Sequence, residues 1–266
     1  MPAGTDFKSA PRLFNGFSNP GRIGAFLNNQ ETWVMVTSTT EDFDVYLRPT
    51  RFIDCDHPAV VAFAKTSAAG AANETDQAVR IFYAVRDQIR YDPYSIDPAE
   101  ENYKASVVLG KKTGYCVGKA ILLAAAARAI GIPSRLRFAD VRNHLTTERL
   151  KEIMKTDLFI HHGYTEIFLN GRWVKATPTF NLSLCERFGV KPLDFDGIHD
   201  AIFHEFDRKG NRHMEYVYDH GPFSDLPYDM IIAAFRKHYP IYFTKENAAV
   251  AGDFEAEALR ERRPPV

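Results

Sequence analysis

Cys116 stands at the head of a run, Val117 to Ala127, whose alanines and leucines read as a helix. A thiol is a poor nucleophile until it is ionised, and a helix N-terminus favours the thiolate by setting partial positive charge and free N–H groups beside the sulphur. Gly114 and Gly118 bracket the cysteine and let another backbone or a substrate come close. The base for such a nucleophile comes from a rigid neighbouring element rather than from nearby in sequence. His161 and His162 fall on a strand-like segment, Phe159 to Leu169. Period two sets His162 with Tyr164, Glu166 and Phe168 on one face and His161 with Gly163, Thr165 and Ile167 on the other, so one of the two can face the sulphur. The other cysteines are weaker candidates. Asp54 and Asp56 flank Cys55 and raise its thiol pKa, and Cys185, on an expected helix, reads as packed.

The elements that must hold these residues follow from periodicity. Apolar spacing predicts helices from His57, through Val60, Val61, Phe63 and Ala64, and over Thr75 to Ile89, the second capped by Asn73 or Thr75. Pro93 ends that second stretch, and Gly131 and Pro133 end the helix begun at Cys116. Ser134 to Val141 reads as a buried strand, and Asn143 to Met154 as a short helix or lid-like loop. Asn170-Gly171 between two apolar arms predicts a hairpin of Phe159–Leu169 with Arg172–Thr177. A second hairpin is expected between Ile202–Phe206 and Arg212–Val217, and a closing helix over Ser224 to Tyr239, with a capping serine and an apolar face of Ile231, Ile232 and Phe235. Near the start, Thr32 to Thr37 and Val45 to Phe52 read as strands, the second kept to an edge by Pro49.

In order along the chain stand Gly114-Tyr115-Cys116, Ala129-Ile130-Gly131-Ile132-Pro133-Ser134-Arg135, His162-Gly163-Tyr164-Thr165-Glu166 and Gly171-Arg172-Trp173-Val174. This series resembles the core of the transglutaminase-like superfamily over roughly residues 75–182. The resemblance implies an α+β, papain-like fold, with an antiparallel sheet packed on a central helix that begins at the catalytic cysteine. It implies Cys116 as nucleophile and His162 as base. Where the family usually reads Asp-Pro-Thr, this chain has Thr177-Pro178-Thr179, which puts Thr177 in the third catalytic position. A hydroxyl stabilises an imidazolium less than a carboxylate does. Asn181 or the more distant Asp140 are alternative orienting groups; Tyr115, Tyr164 and His144 complete the substrate-binding or orienting candidates. Asp140 and His144 belong to a polar cluster that directly follows a buried strand, a common place for site residues.

The implied activity is acyl transfer or amide hydrolysis through a thioester, on a peptide, a small amide or a carrier-bound acyl group. A non-catalytic binding module, or a cyclase or proton-transfer enzyme reusing the same pair, are the alternatives. Thirty-three basic against thirty-four acidic residues leave a net charge of -1, which gives no field for nucleic acid or an anionic membrane. The most apolar run is too short to span a bilayer, and three scattered cysteines in a chain without a signal-like N-terminus point to the cytoplasm. No cofactor is expected. His199, His204, His213 and His220 follow no metal-ligand spacing, so no metal is expected either. The expected organisation is an extension over residues 1–40, a domain over 41–245 with its hairpin–helix addition at 183–245, and a polar tail over 246–266.

Overall fold

Local capping fixes where the first helices begin. In the computed structural model His57 Nδ1 accepts the Ala59 N–H at 3.2 Å and opens α1 (Pro58–Ser67), while Asn73 accepts the Asp76 N–H at 2.9 Å and opens α2 (Glu74–Gln88). The structure describes residues 43–144, 146–203, 214–244, 250 and 252–261, all in the unit Asp42–Val266. A short parallel pair, β1 (Arg90–Tyr91) and β2 (Thr113–Gly114), flanks α3 (Ala105–Lys111) and delivers the chain to α4 (Cys116–Ala129).

Every residue of α4 from Val117 to Arg128 is buried. A helix that is buried on all sides can only be central: α1, α2, α3, β3 (Ser134–Asn143) and β4 (Leu158–Leu169) all pack on it. Its two cations are used as clamps. Arg128 donates to the carbonyls of Arg48, Ser134 and Ser224. Lys119, with no exposed surface, donates to the carbonyls of Arg86 and Ile89 at 2.8 and 2.6 Å, capping the end of α2. Replacing Lys119 by methionine keeps the stem and strands both carbonyls, so a loss of about 2 to 4 kcal/mol is expected in a urea unfolding curve.

Beyond α5 (Glu148–Met154), β4 turns through Asn170 and Gly171, at φ 52° and 80°, into β5 (Arg172–Ala176). After α6 (Leu182–Phe188), β6 (Met214–Phe223) completes an antiparallel sheet in the order β5-β4-β3-β6. Buried Glu166 on β4 joins the strands sideways: Arg135 Nε lies 2.6 Å and Arg137 Nη1 3.0 Å from its carboxylate, and Arg137 also reaches Asp219 of β6. The arrangement is the expected one, an α+β fold with an antiparallel sheet on a helix that opens at Cys116.

Several local expectations are corrected. Residues 45–52 form no strand: Phe43–Tyr46 is a 3-10 turn, and the Thr50 N–H bonds back to the Ile53 carbonyl at 3.1 Å, which buries the consecutive Phe52 and Ile53 without a ladder. Met214 to Val217 of the expected second hairpin's second arm belong to β6, which pairs with β3; most of that hairpin, residues 204–213, lies outside the described residues, as do Thr32 to Thr37. Ser224 is not the cap of the closing helix: α7 (Tyr228–His238) starts after Pro227, three residues further on, and buries Ile231, Ile232 and Phe235 as its spacing requires. Within the expected polar tail, α8 (Phe254–Arg260) buries Phe254, Glu257 and Ala258; Glu257 accepts the Tyr94 hydroxyl at 2.5 Å and that of Thr147 at 3.0 Å.

Candidate active site

Tyr115, in extended geometry, swings the chain so that Cys116 becomes the first residue of α4. The early N–H groups of a helix have no partner within it, and those of Cys116 and Val117 are directed at the Cys116 sulphur. A third comes from the sheet. Strand β5 stops at Ala176, opposite Thr165, and beyond that end the Gly163 N–H is also directed at the sulphur. Gly163 is required for the approach: a Cβ there would stand 3.0 Å from Val117 Cα and 3.3 Å from Phe138 Cε1. Gly163→Ala should therefore push the head of α4 off β4. A destabilisation of about 1 to 3 kcal/mol is expected, with slower modification of Cys116 by any acyl probe, read from a melting curve and a rate measured on the same sample.

Cys116 and His162 line one small cleft of about 30 Å³, walled by Tyr91, Tyr115, Leu150, Met154, Ile160 and Phe235 among others. His162 thus shares the cleft with the sulphur. His161, one residue earlier, stacks its ring on His220 of β6 instead. Burial sets the protonation of the pair. It pushes the Cys116 thiol up to about 11 against the pull of the three N–H groups, and it pulls the His162 imidazole down to about 4. Among the described residues no charged group reaches His162 to offset that burial. The pair is then a neutral thiol beside a neutral imidazole, unlike the ionised thiol expected from the helix terminus alone.

His162 Nε2, Thr177 Oγ1 and Tyr216 Oη are all buried without a hydrogen-bond partner. Tyr216 Oη lies within electrostatic reach of the Thr177 hydroxyl, yet the two complete no hydrogen bond. Tyr216, on β6, carried no sequence signal, since nothing local ties it to a histidine on another strand. Tyr164 shares the His162 side of β4, its ring 6.5 Å from the imidazole. Tyr115 donates to or accepts from Tyr103 at 3.1 Å as part of the cleft wall.

The remaining candidates are engaged elsewhere. Asn181 accepts the Tyr91 N–H at 3.0 Å and donates to Glu255 and Ser183, so it fixes a wall of the cleft and leaves His162 untouched. Asp140 bonds to His220 and to the backbone of His161. His144 Nε2 lies 3.5 Å from Glu215. Cys55 and Cys185 are buried, and burial raises both thiols.

Residues 61–178 match the family model described as the transglutaminase-like superfamily. Two solved structures also resemble the chain. One, named "Putative Cysteine Protease from Cytophaga hutchinsonii", is 16% identical with a TM-score of 0.42, over 71% of this chain and 57% of that one. The other, named "Putative Protease from Parabacteroides distasonis", is 19% identical with a TM-score of 0.34, over 53% of this chain and 26% of that one. The chain thus spans little more than half of the first and about a quarter of the second. No curated protein matches the sequence. Among the described residues no helix is long and apolar enough to cross a membrane.

Proposed function

We propose that this chain, whose residues 61–178 are a transglutaminase-like core, is a cysteine-dependent acyl-transfer enzyme or amide hydrolase with Cys116 as nucleophile and His162 as base. The observation that carries the reading is that Cys116, at the head of α4, shares one cleft with His162, where the backbone N–H groups of Cys116, Val117 and Gly163 favour its thiolate.

The mechanism follows from the neutral pair. As the sulphur attacks a carbonyl carbon, its proton passes to the imidazole, and the carbonyl oxygen becomes an oxyanion beside the N–H groups at the head of α4. The tetrahedral adduct collapses, the C–N or C–S bond of the substrate breaks, and His162 returns the proton to the leaving amine or thiol. A thioester remains on Cys116. Water then yields an acid, or an amine a new amide. A peptide, a small amide or a carrier-bound acyl group can each supply the carbonyl, and the apolar walls at Leu150, Met154, Ile160 and Phe235 favour an apolar acyl side.

The test is acylation by p-nitrophenyl butyrate followed by intact and peptide mass. One butyryl group on Cys116 is expected, with Cys55 and Cys185 unmodified. Equal labelling of all three thiols, or none, would overturn the reading. The second reading, a binding module without turnover, is favoured by Thr177 standing where the family has a carboxylate. It predicts a Cys116 adduct that never turns over.

A further inference from the structure

Behind the cleft wall, among residues that do not themselves line it, three ligand-forming side chains from three strands meet. Asp140 on β3, His161 on β4 and His220 on β6 present a carboxylate and two imidazoles whose ligand atoms all lie within 4.8 Å of one another. His220 Nε2 is 2.8 Å from Asp140 Oδ1. The same oxygen accepts the His161 backbone N–H at 2.9 Å, and Asp140 Oδ2 holds no hydrogen bond among the described residues. The two imidazole rings stack with centroids 4.1 Å apart.

Two features go beyond packing. His161 is only 5% exposed, and both of its ring nitrogens are buried without a hydrogen-bond partner. A buried polar atom left unpaired is costly, and native structures avoid it unless something fills the place. His161 also holds a left-handed backbone, φ 52°, which carries strain in a residue with a Cβ. It does so where three irregularities meet: β3 loses register with β4 between Ala139 and Val141, and with β6 between Phe138 and Ala139 and again between Asp140 and Val141. Bulges of this kind re-aim side chains. Here they bring three ligand-forming groups within 4.8 Å of one another.

We propose that Asp140, His161 and His220 form a three-ligand site for a divalent transition metal of the zinc class. Two imidazoles and one carboxylate suit such an ion and leave a fourth position for water. The Asp140–His220 separation of 2.8 Å is near the roughly 3.3 Å between two donors on a tetrahedral zinc. The ion would take the place of the proton now shared by the two, and His161 would gain the partner it lacks. The bond from the His161 N–H already orients the carboxylate, as outer-shell contacts do at metal centres. Asp140 and His220 side chains are 19% and 18% exposed, which gives an ion a way in.

The experiment is a titration of the full chain with Zn²⁺ against a competing chelator, and with Co²⁺ followed by its visible absorption. One equivalent is expected to bind at micromolar affinity or tighter, with a higher melting temperature. His220→Ala and Asp140→Asn should each weaken binding by about tenfold or more. His161→Asn should do the same while tolerating the left-handed backbone. Cys116→Ser should bind as the wild type does, which separates the site from the catalytic thiol. Absence of binding up to millimolar metal, binding that survives the His220→Ala/Asp140→Asn double variant, or binding lost in Cys116→Ser would each overturn the proposal.

Discussion

Cys116→Ala is expected to abolish acyl-enzyme formation, with a loss of at least about 10³-fold in the acylation rate of p-nitrophenyl butyrate, because no other group in the cleft can form the thioester. His162→Ala should leave the sulphur in place and slow acylation by about 10²- to 10⁴-fold, the usual contribution of a positioned base. The two losses should not add. A histidine whose work is to take the thiol proton has nothing to do once the thiol is gone, so the double variant should match Cys116→Ala within error. Stopped-flow release of nitrophenolate measures all three. Additive losses would mean that His162 acts on the substrate independently, and a Cys116→Ala variant with wild-type rates would end the cysteine mechanism.

The part of this arrangement that was legible in the sequence is the part with local signals. The helix begun at Cys116 and the hairpin turning at Asn170-Gly171 follow from apolar run length and turn chemistry, and both stand where they were expected. Asn73 announced its helix by its side chain alone. The failures are pairings at long range. Nothing local directs β6 to β3, and the register between them is broken twice by bulges that period-two reading cannot foresee. For the same reason Asp140, His161 and His220 escape a search by ligand spacing: they are separated along the chain and meet only across the sheet. The tail misled because its polar residues outnumber Phe254 and Ala258, yet that i, i+4 pair is enough to dock a helix of seven residues. In the candidate site, Cys116 and His162 line one cleft, as the helix start and the strand that carry them lead one to expect, whereas their protonation depends on burial and has no local signal.

That protonation gives a second expectation of large effect. With the Cys116 thiol pushed up to about 11, about one molecule in 10⁴ carries a thiolate at pH 7. Alkylation of Cys116 by iodoacetamide should therefore be slow at neutral pH and climb about tenfold per pH unit until it levels near pH 11. With His162 pulled down to about 4, the imidazole is a neutral base at every pH above that, so acylation should be flat through pH 6 to 9 and fall only as His162 gains its proton near pH 4. Thr177 is the lever. A carboxylate at that position would supply the negative charge that His162 lacks, raise the imidazole pKa and make room for a thiolate–imidazolium pair. Thr177→Asp should accordingly move the alkylation profile to lower pH by one unit or more, provided its circular dichroism shows a folded chain; Thr177→Asn, which adds the same bulk without charge, should leave the profile where it is. An alkylation plateau already present below pH 7 in the wild type, and removed by His162→Ala, would mean that the buried pair ionises together without any carboxylate, and that the hydroxyls of Thr177 and Tyr216 suffice to hold the imidazolium.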